Sequence, residues 1–62
     1  MFKTIKTISV FLCNGKEVKL PKDSFFEIIG KPENTEYLIK TMTGKHQTGL
    51  LPISEMKSVI LL

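Results

Sequence analysis

The sequence predicts an all-β protein: one domain over residues 1–62, built as a five-stranded, partly open small barrel with one short helical turn before the last strand. Three observations carry that reading. Asn14-Gly15-Lys16 stands between two short runs rich in alternating apolar residues, Ile8-Ser9-Val10-Phe11-Leu12 and Val18-Lys19-Leu20, a strong local signal for a β-hairpin. A second turn of similar composition, Thr43-Gly44-Lys45-His46, separates a run from Glu36 to Met42 from another from Gln47 to Leu51. No stretch carries a helical period of ordinary length.

The first hairpin can be read to the level of register, because side-chain alternation and turn geometry must agree. A two-residue turn at Asn14-Gly15 would set Phe11 against Val18 and scatter the apolar stripe over both faces. A three-residue loop, Cys13-Asn14-Gly15, with Gly15 left-handed, sets Val10 against Val18 and Ile8 against Leu20. Ile8, Val10, Leu12, Val18 and Leu20 then face a core, and Ser9, Phe11, Glu17 and Lys19 share the other side. Pro21-Lys22-Asp23-Ser24 leaves this hairpin. Phe25-Phe26-Glu27-Ile28-Ile29 is the next strand, with Phe26 and Ile28 on one side and Phe25 and Ile29 on the other. Gly30-Lys31-Pro32-Glu33-Asn34-Thr35 is dense in turn formers and reads as the longest loop. In the second hairpin both Tyr37/Ile39 and Leu38/Met42 offer an inward face, and its register stays open. Pro52 ends that hairpin, Ile53-Ser54-Glu55-Met56 is one helical turn, and Lys57 to Leu62 is the last strand.

Sixty-two residues make one modest core, close to the size below which disulfides or metal are usually needed. A single Cys and a single His offer neither, so no metal or cofactor is expected, and the cysteine usage fits a reducing, cytoplasmic setting. Charge interrupts Met1-Phe2-Lys3-Thr4-Ile5-Lys6 too often for a signal-peptide core, and no apolar run reaches the roughly 20 residues of a membrane helix. The net charge of +3 is carried by nine Lys and no Arg, spread along the chain without a block. Arg is the usual bidentate reader of phosphate and guanine, whereas dispersed Lys are ordinary solvated charges.

No catalytic constellation is present. His46 adjoins Gly44-Lys45 and reads as an exposed turn residue. Cys13 reads as an ordinary, partly buried cysteine of the hairpin loop. The carboxylates Glu17, Asp23, Glu27, Glu33, Glu36 and Glu55 are spaced as the polar side of strands and loops, and no Gly-Lys-Ser/Thr phosphate loop occurs. The chain is expected to have no enzymatic activity.

Gly49-Leu50-Leu51-Pro52, followed by a short helical turn and a closing apolar strand, resembles the end of an SH3 domain. The segment from Lys22 to Ile29 is similar to the strand after that family's first long loop. The resemblance covers roughly the last two-thirds of the chain and implies an SH3-like barrel. It does not imply the Pro-rich ligand: there is no Trp, no tyrosine pair precedes the first hairpin, and Glu55 stands where the family pattern has a tyrosine. Only Tyr37 could take the place of a groove Trp. The stretch from Ile8 to Val18 is also similar to the first strand pair of Sm-like RNA-binding proteins. The two Gly-Lys turns with an Asp between them look like small flagellar-operon proteins of bacteria, which implies a bacterial or phage origin.

Phe2, Ile5, Phe11, Phe25, Tyr37, Met42, Ile53 and the tail Val59-Ile60-Leu61-Leu62 exceed what one face of a five-stranded sheet can hide. A protein partner or self-association is therefore expected, with Phe11 and Tyr37 as contact residues. The alternative is a nucleic-acid binder using Lys16, Lys19, Lys45 and His46 around the turn tips.

Overall fold

The first hairpin forms in the three-residue-loop register. In the computed structural model, which describes every residue but Lys45, strand β2 (Ile8–Phe11) pairs with β3 (Glu17–Leu20) so that Ile8 opposes Leu20 and Val10 opposes Val18. The loop is closed by Leu12 N–H donating to Lys16 O at 2.9 Å and Gly15 N–H to Leu12 O at 2.8 Å, while Lys16 N–H caps Asn14 Oδ1 at 2.9 Å. Gly15 takes φ of 84° with nothing within 4 Å of a Cβ built there, so the backbone conformation alone selects glycine.

Among the described residues seven strands, not five, make the fold. Besides β2 and β3 they are β1 (Phe2–Thr4), β4 (Phe25–Glu33), β5 (Glu36–Thr41), β6 (Thr48–Pro52) and β7 (Val59–Leu61), with a 3₁₀ helix over Ile53–Ser58. All belong to one antiparallel sheet in the order β3-β2-β6-β5-β4-β1-β7, which stays open with β3 and β7 as its edges. Strand β1 is too short to show alternation in sequence. It is fixed by distant partners: Phe2 opposes Phe26 on one side and Leu61 on the other, and the Phe2 and Phe26 rings stack at 5.5 Å.

The expected loop from Gly30 to Thr35 is mostly strand. β4 runs on to Glu33, and only Asn34 and Thr35 turn the chain into β5. The β4–β5 register slips between Ile28 and Gly30 and again before Glu33, which absorbs Gly30 and Pro32 as irregularities within a pairing that continues to Glu33 opposite Glu36. The second hairpin resolves in favour of Tyr37 and Ile39 as the inward pair, opposite Leu51 and Gly49. Gly49 is needed for close approach, because a Cβ there would lie 3.2 Å from Phe11 O on β2.

The core is Ile8, Val10, Phe26, Ile39 and Leu51, with Phe2, Leu20, Ile28, Tyr37, Met56 and Val59 packed around it. Leu12, Val18 and Leu20 of the expected apolar face are half-buried rather than enclosed, since β3 is an edge strand. Beside the core sits a polar knot. Thr4 Oγ1 donates to Pro21 O at 2.8 Å and accepts from Ser24 N–H at 2.9 Å, Ser24 Oγ donates to Pro21 O at 2.7 Å, and Asp23 N–H donates to Thr4 O at 2.9 Å. This knot holds Asp23 at φ of 67°, a conformation Asp tolerates better than most residues.

Candidate functional site

The side of the sheet away from the core carries a row that crosses three strands: Phe11 on β2, Leu50 on β6 and Leu38 on β5 oppose one another in turn. Phe11 lies at one end of this row, and past it the chain segments around the row leave a groove of about 540 Å³. Its walls are Phe11, Asn34, Thr35, Glu36, Pro52, Ile53 and Ser54.

Two hydrogen bonds build this groove. Ile53 N–H donates to Thr35 O at 2.9 Å, which ties the β4–β5 turn to the start of the 3₁₀ helix. Glu55 Oε2 accepts from Ser9 N–H at 2.9 Å. Among the described residues the register pair between β2 and β6 is Phe11 with Leu50, so Ser9, paired with Lys19 on its β3 side, lies beyond the β6 pairing, and the Glu55 carboxylate takes the place of a ladder acceptor. Glu55 thus clamps the helix against β2 at the position where the sequence resemblance led to a tyrosine. Glu36 lines the groove and pairs in register with Glu33, and neither carboxylate forms an ion pair among the described residues. The groove therefore has an apolar floor and an acidic end.

Phe11 and Tyr37 do not share a surface. Phe11 is half-buried on the outward row, whereas Tyr37 alternates to the inward face, packs against the core, and has the Lys31 ammonium 5.7 Å from its ring centroid. Lys16 is exposed beside the first hairpin turn. Lys19 Nζ is engaged by Glu17 Oε2 at 2.8 Å and donates to Ser9 Oγ at 2.7 Å. The Lys19 hydrogen bond first, then the bond that Ser9 Oγ donates to Glu17 Oε2 at 2.9 Å and the Lys19 charge, hold the Glu17 carboxyl below the usual carboxylate range. His46 is exposed and lines an open cleft with Cys13 and Asn14, so the tips of the two hairpins lie side by side, while Lys45 lies outside the described residues. Cys13 is exposed rather than partly buried, because it sits in the turn itself, clear of the strand faces.

Among the described residues no group of three or more His, Cys, Asp or Glu is placed to hold a metal ion, and no helix is long and apolar enough to cross a membrane. Sequence reasoning singled out Phe11 but missed Glu36, Pro52 and Ile53 as its neighbours. They come together only through the β5–β6 register, which alternation in sequence left open. Comparison with protein-family models, with curated proteins and with solved structures finds no match.

Proposed function

We propose that the chain is a non-catalytic protein-interaction module on an SH3-like barrel, a small accessory or regulatory protein of a bacterial or phage cytoplasm. Support for the barrel type comes from the order of parts: a hairpin after β1, a three-stranded β4-β5-β6 meander, and a 3₁₀ helix leading into a last strand that returns to β1. The groove at Phe11 carries the functional reading. An apolar floor of Phe11, Pro52 and Ile53 beside Glu33 and Glu36, which form no ion pair among the described residues, suits an extended segment that presents one apolar side chain next to a Lys or Arg. Without Trp, and with Tyr37 turned to the core, a Pro-rich helix is not the expected occupant.

Selection from a peptide-display library, followed by NMR mapping, tests this. The expected peptides combine an apolar and a basic residue, shift the amides of Phe11, Thr35, Glu36 and Ile53, and lose binding to a folded Phe11→Ala variant and to Glu36→Lys. Selected peptides that map elsewhere, or a selection that yields none, would refute it. A second reading rests on the adjacent hairpin tips, where Lys16 and His46 could meet a nucleic-acid backbone. That reading requires single-stranded DNA affinity that falls steeply with salt.

A further inference from the structure

We infer that the β7 edge is a self-association surface, at which two copies of this chain pair antiparallel about a two-fold axis through Leu61. The exposed apolar side chains of the molecule gather there. Met1, Ile5, Ile60, Leu61 and Leu62 are 48%, 39%, 40%, 71% and 61% exposed, and of the large apolar residues only Ile29 is comparably open elsewhere among those described.

The two sheet edges are built differently. β3 presents Glu17 and Lys19 and is flanked by Lys16, Pro21 and Lys22, the charges and proline that block strand addition. β7 reads Val59-Ile60-Leu61, with no charge, proline or bulge. Lys3, opposite Ile60 on β1, has its ammonium 3.7 Å from Asp23, and Lys57 lies in the helix that leads into β7, before the strand begins.

Backbone direction selects the partner. Ile5 N–H donates to Ser58 O at 2.8 Å and Leu62 N–H to Met1 O at 3.0 Å, so Ser58, Ile60 and Leu62 turn their backbone groups toward β1. By alternation Val59 and Leu61 turn theirs to the open edge. The Val59 N–H is taken by Met56 O. Leu61 alone on β7 therefore offers both a free N–H and a free C=O outward. A second copy turned by a two-fold through Leu61 presents the same pair in reverse order, which is the requirement for the two reciprocal bonds of an antiparallel hydrogen-bonded pair. In that register Ile60 of each copy packs beside Leu62 of the other, and the two Leu61 side chains meet on the opposite face. The contact is isologous and consumes the edge, and the guarded β3 offers no second site, so assembly stops at the dimer. Three residues a side are well short of the roughly 800 Å² per partner of a stable complex, so association depends on concentration.

Sedimentation equilibrium from about 10 μM to about 1 mM, with amide exchange at both ends of the range, tests the inference. The expected result is a mass rising from one chain toward two, with Leu61 N–H exchange slowing several-fold at high concentration. Leu61→Pro deletes only an N–H that makes no bond among the described residues, so the variant keeps the β1 ladder and is monomeric throughout. Ile60→Lys, at an exposed position, is monomeric as well. A wild-type chain that stays monomeric to 1 mM, growth beyond two chains, or variants that fold and still associate as the wild type does would each overturn the inference.

Discussion

Replacing Thr4 by valine tests whether the polar knot beside the core is structural. Valine matches threonine closely in shape, so the change removes two hydrogen bonds without opening a cavity. Thr4 is 0% exposed and Ser24 2%, and no buried side-chain polar atom among the described residues lacks a partner. In the variant Pro21 O keeps its bond from Ser24 Oγ, but Ser24 N–H loses the Thr4 Oγ1 acceptor it holds at 2.9 Å. Orphaning a buried N–H costs about 1–3 kcal/mol and losing the second bond about 1 kcal/mol, so the expected loss is about 2–4 kcal/mol. A domain of this length has roughly 3–9 kcal/mol in all, and each kcal/mol moves the midpoint by roughly 4–8 °C. Thr4→Val should therefore melt at least about 10 °C lower, with a correspondingly lower urea midpoint at unchanged slope. Thr4→Ser, which keeps the hydroxyl and loses a methyl, should cost about 1 kcal/mol. A valine variant within about 0.5 kcal/mol of wild type in urea titrations followed by circular dichroism would refute the reasoning.

Gly15→Ala should cost about 1 kcal/mol purely through its positive φ, and Gly15→Asn less, as measured by urea titration. Lys19→Met should raise the Glu17 carboxyl toward its ordinary range in an NMR titration, the bond from Ser9 Oγ keeping part of the depression. Because the folded-state value is depressed, stability from this exposed pair is present above the normal Glu range and is lost as pH falls through the lowered value, and salt should weaken it. Glu55→Ala leaves Ser9 N–H without its acceptor and should cost about 1.5–3 kcal/mol, with a matching acceleration of Ser9 amide exchange; a Ser9 amide as protected as in wild type would show that the clamp is not needed.

The parts of the fold legible in sequence are those fixed within a few residues. The first hairpin needs only Asn14-Gly15 and the alternation on either side, and its register follows from them. What sequence leaves open is set by strands far apart in the chain. Phe2-Lys3-Thr4 has no pattern of its own and becomes a strand only because β4 and β7 lie on either side of it. Gly30 and Pro32 carry strong local turn signals, yet a partner strand long enough to pair across the irregularity keeps β4 extended to Glu33. The candidate site divides in the same way. Phe11 could be singled out from the hairpin register alone, but Thr35, Glu36 and Ile53 reach it from more than 20 positions away, and no local signal joins them.

The groove at Phe11 is held from both sides before anything enters it. The helix wall is fixed to β2 by the charged bond from Ser9 N–H to Glu55, and the turn wall is fixed to the helix by Ile53 N–H to Thr35 O. The floor is set by the pairing of Phe11 with Leu50 and of Leu50 with Leu38. Each of these links joins elements distant in sequence, so no single loop has to be ordered when a ligand binds. Binding to a groove of this kind avoids most of the roughly 0.5–1.5 kcal/mol otherwise spent on each side chain immobilised at an interface. It follows that Glu55→Ala should weaken a peptide that never touches Glu55. The loss should come through a walled groove that has become mobile, and restoring the acceptor with Glu55→Gln should recover much of the affinity, whereas a direct charge contact with a basic peptide would not be recovered by the neutral amide.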